Sequence, residues 1–331
     1  MIAYCYENTK TNIPNWEATT HQLQKFGYGY EAPNHFVHFY GKEVFYIISS
    51  GLTVIEEKSG TYEEWISSRF GAVNIKRMRH KPGVAVKNIW RPALYRWDDI
   101  DHAIQVDPAE LRSQEQALRT IIEKLDQILL YIEPSSEGLE SFGHKTRELL
   151  ILACTEVENQ WTTLLSKCNY TPANGKILTT QDYVKLLPVT HLSEYQISLR
   201  NYSSPTSFSP FKNWSAKCPT KSLPWYDAYN KTKHSRDTHF SESKLKYAID
   251  AVAANIALYA VRFGVLRQIH DTSHLSGLIK HIFEMSMINS DRTSFYLPEL
   301  LIPDDIYKGC QVIDSYGRGL FMPWRTQSFS I

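Results

Sequence analysis

Asp227, Asn230 and His234 have the residue types and spacing for proton transfer. They lie in the stretch LPWYDAYNKTKHSRDTHF, Leu223 to Phe240. A helix begun at Pro224 places the three on one face, because residues three and four apart are neighbours on a helix surface. A histidine backed by an amide and a carboxylate is a candidate general acid–base group, its pKa tuned across neutrality by those neighbours. Arg236 and His239, just beyond the expected helix end, would bring positive charge to a phosphoryl transition state. A plainer account stands beside this one: Asp227 and Asn230 bond locally, and His234 satisfies a buried carbonyl.

Other groups invite the same question. Glu156 sits near an apolar stripe, where an unpaired carboxylate is costly, so it needs a partner, either His234 or a lysine of the Pro224 helix. A structural polar network is the alternative. Glu158 lies two residues on, with Cys154, Glu148, Arg147 and His144 upstream. His270, His274 and His281 form a second histidine group. A zinc site there would need Asp271 or Glu284 to complete it, and histidines near a helix end more often answer the helix dipole. No metal and no cofactor are expected.

Charge is unevenly placed. The 331 residues carry a net charge of +1. Yet Lys76, Arg77, Arg79, Lys81, Lys87, Arg91 and Arg96 follow one another without an acid, interleaved with Met78, Trp90 and Tyr95. With Lys81-Pro82-Gly83 as a turn, this reads as a basic hairpin with exposed aromatics, able to track phosphates and stack bases; a plain solvated surface is the alternative. From Asp98 to Glu140, eleven carboxylates face three basic residues, which fits a solvated helix face or a docking surface for a basic protein partner at 107–140.

Elements must position these groups. Short aromatic and β-branched runs (His35–Tyr40, Glu43–Ser50, Leu52–Lys58), punctuated by Gly41 and Gly51, predict a meander, followed by a short helix at Tyr62–Phe70. From Pro108 the apolar period becomes helical through Leu129, and again over about Lys145 to Ser166. Further helices are expected from Pro224 to His234, from Ser243 to Ile269 and from Leu278 to Met287, with strands at Tyr195–Leu199, Leu297–Ile302 and Gln311–Asp314. Asp250, Asn255 and Arg262 interrupt the most apolar helix, so it reads as packed rather than membrane-spanning. The five scattered cysteines exclude a disulfide framework, and the N-terminus lacks a secretory pattern; a cytoplasmic protein is expected.

The segments FGHKTRELLILACTEVENQW, TTQDYVKLLP and SLPWYDAYNKTKHSR resemble the HEPN superfamily of helical bundles, over about Phe142 to Phe263 with an extension to Pro108. Many members are metal-independent ribonucleases of toxin–antitoxin, CRISPR and abortive-infection systems. Their signature is an Arg, often followed by a polar residue, with a His four to six positions after the Arg. The resemblance places that polar residue at Asn230 and the histidine at His234, but puts Tyr229 where the Arg belongs. It therefore implies that Lys231, Lys233 or Arg236 has taken over phosphate contact, or that the site binds without cleaving. It also implies a homodimer in which two bundles share one cleft.

The expected architecture is α+β: a small mixed-sheet domain over 1–100, a HEPN-like bundle over 101–270 and a mixed extension over 271–331. The expected activity is RNA cleavage or RNA binding, with His234, Asn230 and Arg236 at its centre, Asp227, Tyr229, Lys233, Glu156 and His239 in support, and Lys76, Arg77, Arg79, Lys81, Lys87 and Arg91 on the nucleic acid. The alternatives are a non-catalytic adaptor and a nucleotide-binding module, and no membrane partner is expected.

Overall fold

The computed structural model describes residues 1–10, 25–42, 47–94, 97–172, 175, 177–202, 207–269, 273–303, 308–314 and 321–331. The protein is α+β and divides into two compact units: Met1–Gln105 with Asp291–Gln327, and Val106–Ser290 with Ser328–Ile331.

In the first unit the strands β1 (Ala3–Glu7), β2 (Phe26–Glu31), β3 (His35–Lys42), β4 (Ile47–Glu57) and β5 (Val73–Arg77) share one sheet, with helix α1 (Tyr62–Phe70) between β4 and β5 in the chain. Alternation puts Tyr4, Tyr6, Phe36, Tyr40 and Val54 on one face, where they pack against Trp65, Ile66 and Phe70 of α1. Thr61 and Glu64 cap the helix reciprocally, and Gly71, at φ 62°, ends it. Gly51 does not break the meander, since β4 runs through it.

His38 shares the buried face. Its ring stacks on Phe70 at 3.7 Å between centroids, and its Nδ1 lies 2.5 Å from the Tyr6 hydroxyl. Nε2 has no partner among the described residues. Burial in this aromatic box pushes the pKa down to about 3.

The expected basic hairpin does not form. β5 pairs with β1, whereas β6 (Val84–Val86) pairs in parallel with the strand Arg325–Gln327. The physical reason is that the 291–327 segment takes up the hydrogen bonds of residues 83–89. The Gly83 amide donates to the Leu297 carbonyl at 2.7 Å, and the Tyr296 hydroxyl accepts from the Val86 amide at 3.0 Å and donates to the Ile89 carbonyl at 2.8 Å. Met78 and Trp90 are buried rather than exposed. The short helix α2 (Trp97–Ala103) closes this stretch, with Ile100 and Ala103 buried.

The second unit is a helical bundle: α3 (Pro108–Leu129), α4 (His144–Lys167), the short α5 (Thr180–Tyr183) and α6 (Leu187–Thr190), then α7 (Pro224–His234), α8 (Arg236–His239), α9 (Leu245–Phe263), α10 (Val265–Ile269) and α11 (His274–Ile282). Helix α9 is buried nearly all round, and α3, α4 and α7 pack on it. Its alanines at 248, 251, 253, 254, 257 and 260 leave room for that approach. Gly264, at φ 93°, ends α9, so the expected helix to Ile269 is two helices.

The stretch expected to be helical at Leu278–Met287 also divides. Phe283–Met287 is strand β9, paired with β7 (Tyr195–Leu199), which also pairs with β8 (Ser207–Phe208). Phe283 and Met287 turn inward and Glu284 and Ser286 outward, a period of two that a strand partner rewards and a helix does not. The chain then returns to the first unit. Leu297–Ile302 is irregular, β10 (Cys310–Asp314) extends the sheet against β4, and β11 is the Arg325–Gln327 strand already met. Among the described residues the sheet order is β10-β4-β3-β2-β1-β5, every neighbour antiparallel.

The buried His38 makes stability pH-dependent. An unfolded histidine titrates near 6.5 and the folded one near 3, so the unfolded state binds more protons between those values. Stability is fully present above the unfolded pKa and declines as pH falls towards 3, by at most about 1.4 kcal/mol per pH unit. Urea unfolding at several pH values across this window should show the decline, and His38→Phe should flatten it.

Candidate functional site

Helix α7 is placed by its apolar face. Trp225, Tyr226, Ala228, Tyr229 and Thr232 are buried against α4 and α9. Trp225 Nε1 donates to the Pro210 carbonyl at 3.0 Å, and the indole joins a nest of rings with Trp161 and Phe211. The opposite face carries Asp227, Asn230, Lys231, Lys233 and His234. The three residues expected to share a face do so, but Asp227 is engaged by Lys231 at 2.7 Å. No described hydrogen bond links His234 to Asn230 or Asp227. His234 is exposed in the last turn, so it does not satisfy a buried carbonyl, and no orienting carboxylate meets it among the described residues.

The structure brings together a different set of groups one layer below. The Tyr229 side chain, fully buried at 0% exposure, donates from its hydroxyl to Glu158 Oε2 at 3.3 Å and accepts from Lys233 Nζ at 2.9 Å. The Tyr226 hydroxyl donates to the other oxygen, Oε1 of Glu158. One half-buried carboxylate on α4 thus holds two tyrosines of α7. Burial, then Glu158, pushes the Tyr226 hydroxyl well above its ordinary range. Burial, with Glu158 adding to it, does the same for the adjacent Cys154 thiol. The Tyr229 hydrogen bond keeps Lys233 charged by raising its pKa. Cys154 is therefore a packing residue rather than a nucleophile.

Arg147 of α4 adds a clamp, its Nη2 donating to the Thr232 carbonyl at 2.9 Å. That satisfies a carbonyl at the C-terminal end of α7, where cations are favoured. Glu158, Tyr226 and Arg147 were not singled out as site residues from sequence. The available signal was the helical period of α4, which places Cys154 and Glu158 one turn apart along the face turned to α7.

Glu156 faces elsewhere. Burial raises its pKa, and Gln114, Asn159 and the charge of Arg262 offset that rise; neither His234 nor a lysine of α7 partners it. The Arg236 side chain lies outside the described residues. His239 is half-exposed in α8. His270 and Asp271 also lie outside, His274 meets Glu123 at 3.3 Å, and no group of three metal-ligating side chains occurs among the described residues.

The expected phosphate contacts of the first unit separate. Arg91 is buried, donating to Ser294 Oγ at 2.7 Å with its guanidinium 5.3 Å from the Phe295 ring centre. Arg79 pairs with Asp291, and Lys87 is half-buried. Lys76 and Arg77 are exposed on β5, an edge strand where charges discourage pairing with other chains; Lys81 is exposed beside the occupied turn. Several acids of the 98–140 stretch are engaged internally: Asp107 caps α3, Glu110 pairs with Lys167 and Arg262, Glu115 accepts from Tyr259, and Glu140 pairs with Lys244 and Lys246.

No protein-family model, curated protein or solved structure matches the chain.

The tyrosine–carboxylate network is expected to be structural. Glu158→Ala leaves two tyrosine hydroxyls without their acceptor and should cost about 1–3 kcal/mol, while Tyr229→Phe should cost about 1 kcal/mol. His234→Ala, at an exposed position, should stay within about 0.5 kcal/mol of the wild type. Denaturant unfolding of the three variants measures the ranking.

Proposed function

We propose that the helical unit binds RNA at the open end of α7 and cleaves it by acid–base chemistry at His234. The observation that carries this reading is the pairing of an exposed, unengaged imidazole with a rigid mount. His234 ends a helix held by Glu158 and clamped by Arg147, beside the charged Lys233. The resemblance of α4 and α7 to HEPN bundles supports the same chemistry and a bacterial defence or toxin–antitoxin setting, in the cytoplasm.

In such a step His234 takes the proton of a ribose 2′-hydroxyl. The 2′-oxygen attacks the adjacent phosphorus, a 2′,3′-cyclic phosphate forms, and the bond to the 5′-oxygen breaks. The departing 5′-oxygen needs a proton, which a second copy's imidazole supplies if two bundles share the substrate. Tyr229, tied to Glu158, cannot reach a phosphate, so Lys233 and the Arg147 end of α4 supply the charge. No helix among the described residues is long and apolar enough to cross a membrane.

A second reading, a non-catalytic adaptor, draws on the buried Tyr229, because the position where the signature has an arginine holds a tyrosine tied to Glu158, which brings no cation. The two readings separate in one assay. Labelled RNAs incubated with the full chain under EDTA should be cut to products ending in cyclic phosphate. His234→Ala should lower the rate by at least about 100-fold, as loss of a general acid–base group does, with unfolding stability unchanged. Absence of cleavage by the wild type across a pool of RNAs overturns the catalytic reading.

A further inference from the structure

An apolar groove of about 580 Å³ opens between the end of α3 and the start of α4, and Leu130, Tyr131, Ile132 and Phe142 supply its apolar lining. Three of these reach far into solvent: Tyr131 is 88% exposed, Leu130 76% and Phe142 50%. Large apolar side chains grouped in water cost free energy until something covers them, and such patches mark interaction sites.

The wall on the α4 side is held in place. Phe142 meets Phe240 edge-on at 5.8 Å, its backbone bridges to Lys244, and the Leu245 amide donates to the Ser141 carbonyl at 2.8 Å. On the α3 side, Ile128 and Leu129 are buried in the bundle and anchor the turn that presents Leu130 and Tyr131. A preformed wall of this kind lowers the ordering cost of binding.

The charges around the groove select what covers it. From Lys124 to Glu148 the chain carries five acids, Asp126, Glu133, Glu137, Glu140 and Glu148, and three bases, Lys124, Lys145 and Arg147. Across Phe240, the 237–246 stretch sets Asp237 and Glu242 against Lys244 and Lys246 and leaves that balance unchanged. The bases are occupied: Lys124 and Lys145 share Glu148, Lys244 and Lys246 share Glu140, and Arg147 donates to the Thr232 carbonyl. Asp126, Glu133 and Glu137 have no ion pair among the described residues; Glu137 accepts from the hydroxyls of its neighbours Ser135 and Ser136. Asp126 lies one turn before Leu130, and Glu133 and Glu137 follow Ile132, so the unpaired acids flank the most exposed apolar side chains. Asp126 and Glu133 also converge in space, since burial and then these two carboxylates push the Tyr202 hydroxyl up.

A nucleic acid or an acidic segment would set its own negative charge against these carboxylates. A second copy across a two-fold axis would bring the same acids to the same interface. A helix with an apolar stripe and cations beside it satisfies the groove and the acids together.

We infer that the groove docks a basic amphipathic helix of a partner protein, its apolar stripe seated on Tyr131 and Phe142 and its lysines or arginines on Asp126, Glu133 and Glu137. The inference is independent of the RNA reading, since no residue of α7 lines the groove.

The test is fluorescence anisotropy with the full chain and a labelled Leu–Lys peptide of about four helical turns, patterned to be amphipathic. A Leu–Glu peptide of the same pattern and a Leu–Lys peptide of scrambled order serve as comparisons. The patterned Leu–Lys peptide should bind at least about tenfold tighter than either, and Tyr131→Ala with Phe142→Ala should remove about tenfold or more of its affinity, as loss of aromatic anchors does. Asp126→Asn with Glu133→Gln and Glu137→Gln should weaken binding severalfold and flatten its salt dependence. Tyr131→Trp should keep the affinity and shift its emission to the blue with this peptide alone. Equal binding of the Leu–Glu peptide, or no binding of the patterned Leu–Lys peptide, overturns the inference. Unchanged affinity in the double alanine variant places the peptide elsewhere and overturns it as well. A dimer in sedimentation that the double alanine variant dissolves assigns the groove to a second copy, with the same consequence.

Discussion

Helix α9 is the constraint around which the second unit is built. It is buried on nearly every side, so each polar group it carries inward must find a partner within the bundle, because an unpaired buried polar group costs more than its hydrogen bond returns. Asn255 meets this need by donating to the Ala153 and Ala251 carbonyls and accepting from Gln160 Nε2 at 3.0 Å. Arg262 meets it in part, its Nη2 on Glu110, which also holds Lys167, while Nε and Nη1 have no partner among the described residues. The desolvated guanidinium has its pKa lowered by burial and drawn back up by Glu110 and Glu156. These contacts fix the rotation of α9 relative to α3 and α4, and so decide which residues of α4 remain to meet α7.

What remains is Glu158, one side of α4 away from Glu156. The two carboxylates lie two residues apart and so point in different directions on the helix. Glu156 joins the α3 and α9 polar layer, while Glu158 joins the tyrosines of α7. The same geometry draws Tyr229 into the interior, which makes it a strut under the site and leaves the polar edge of α7 as the only part in solvent. His234 is thus mounted firmly but not oriented by any neighbour on its own helix. In the RNA reading, substrate phosphates and a second imidazole complete the arrangement.

The first unit depends on a comparable rule of pairing. Its 83–89 stretch has backbone groups that a local hairpin would satisfy, but Tyr296 and the Leu297 carbonyl satisfy them instead, together with the Arg325 strand. The basic residues that follow one another in sequence are consequently dispersed, with Arg91 under Phe295 and Arg79 against Asp291. A run of cations in a chain becomes a patch only if the backbone keeps the run together.

The helices Pro108–Leu129, His144–Lys167 and Pro224–His234 were legible in the sequence, whereas the stretches running to Ile269 and to Met287 each divide. Pro224 and the apolar spacing of Trp225, Tyr226 and Tyr229 determine α7, and the alternation of Phe283 and Met287 carries the signature of β9, although its apolar residues first read as helix. The α+β class and the shared face of Asp227, Asn230 and His234 follow from the same periodicities, which are properties of neighbouring residues. Only the tertiary structure decided that Asp227 belongs to Lys231, that Glu158 rather than Glu156 serves α7, that Arg147 caps its end, and that Leu130, Tyr131 and Phe142 line one groove. The reason is physical: a helix's period tells which residues share a face, but which partner that face meets is set by the burial of α9 and the pairing of its polar groups, and those contacts join residues from 95 to 152 positions apart.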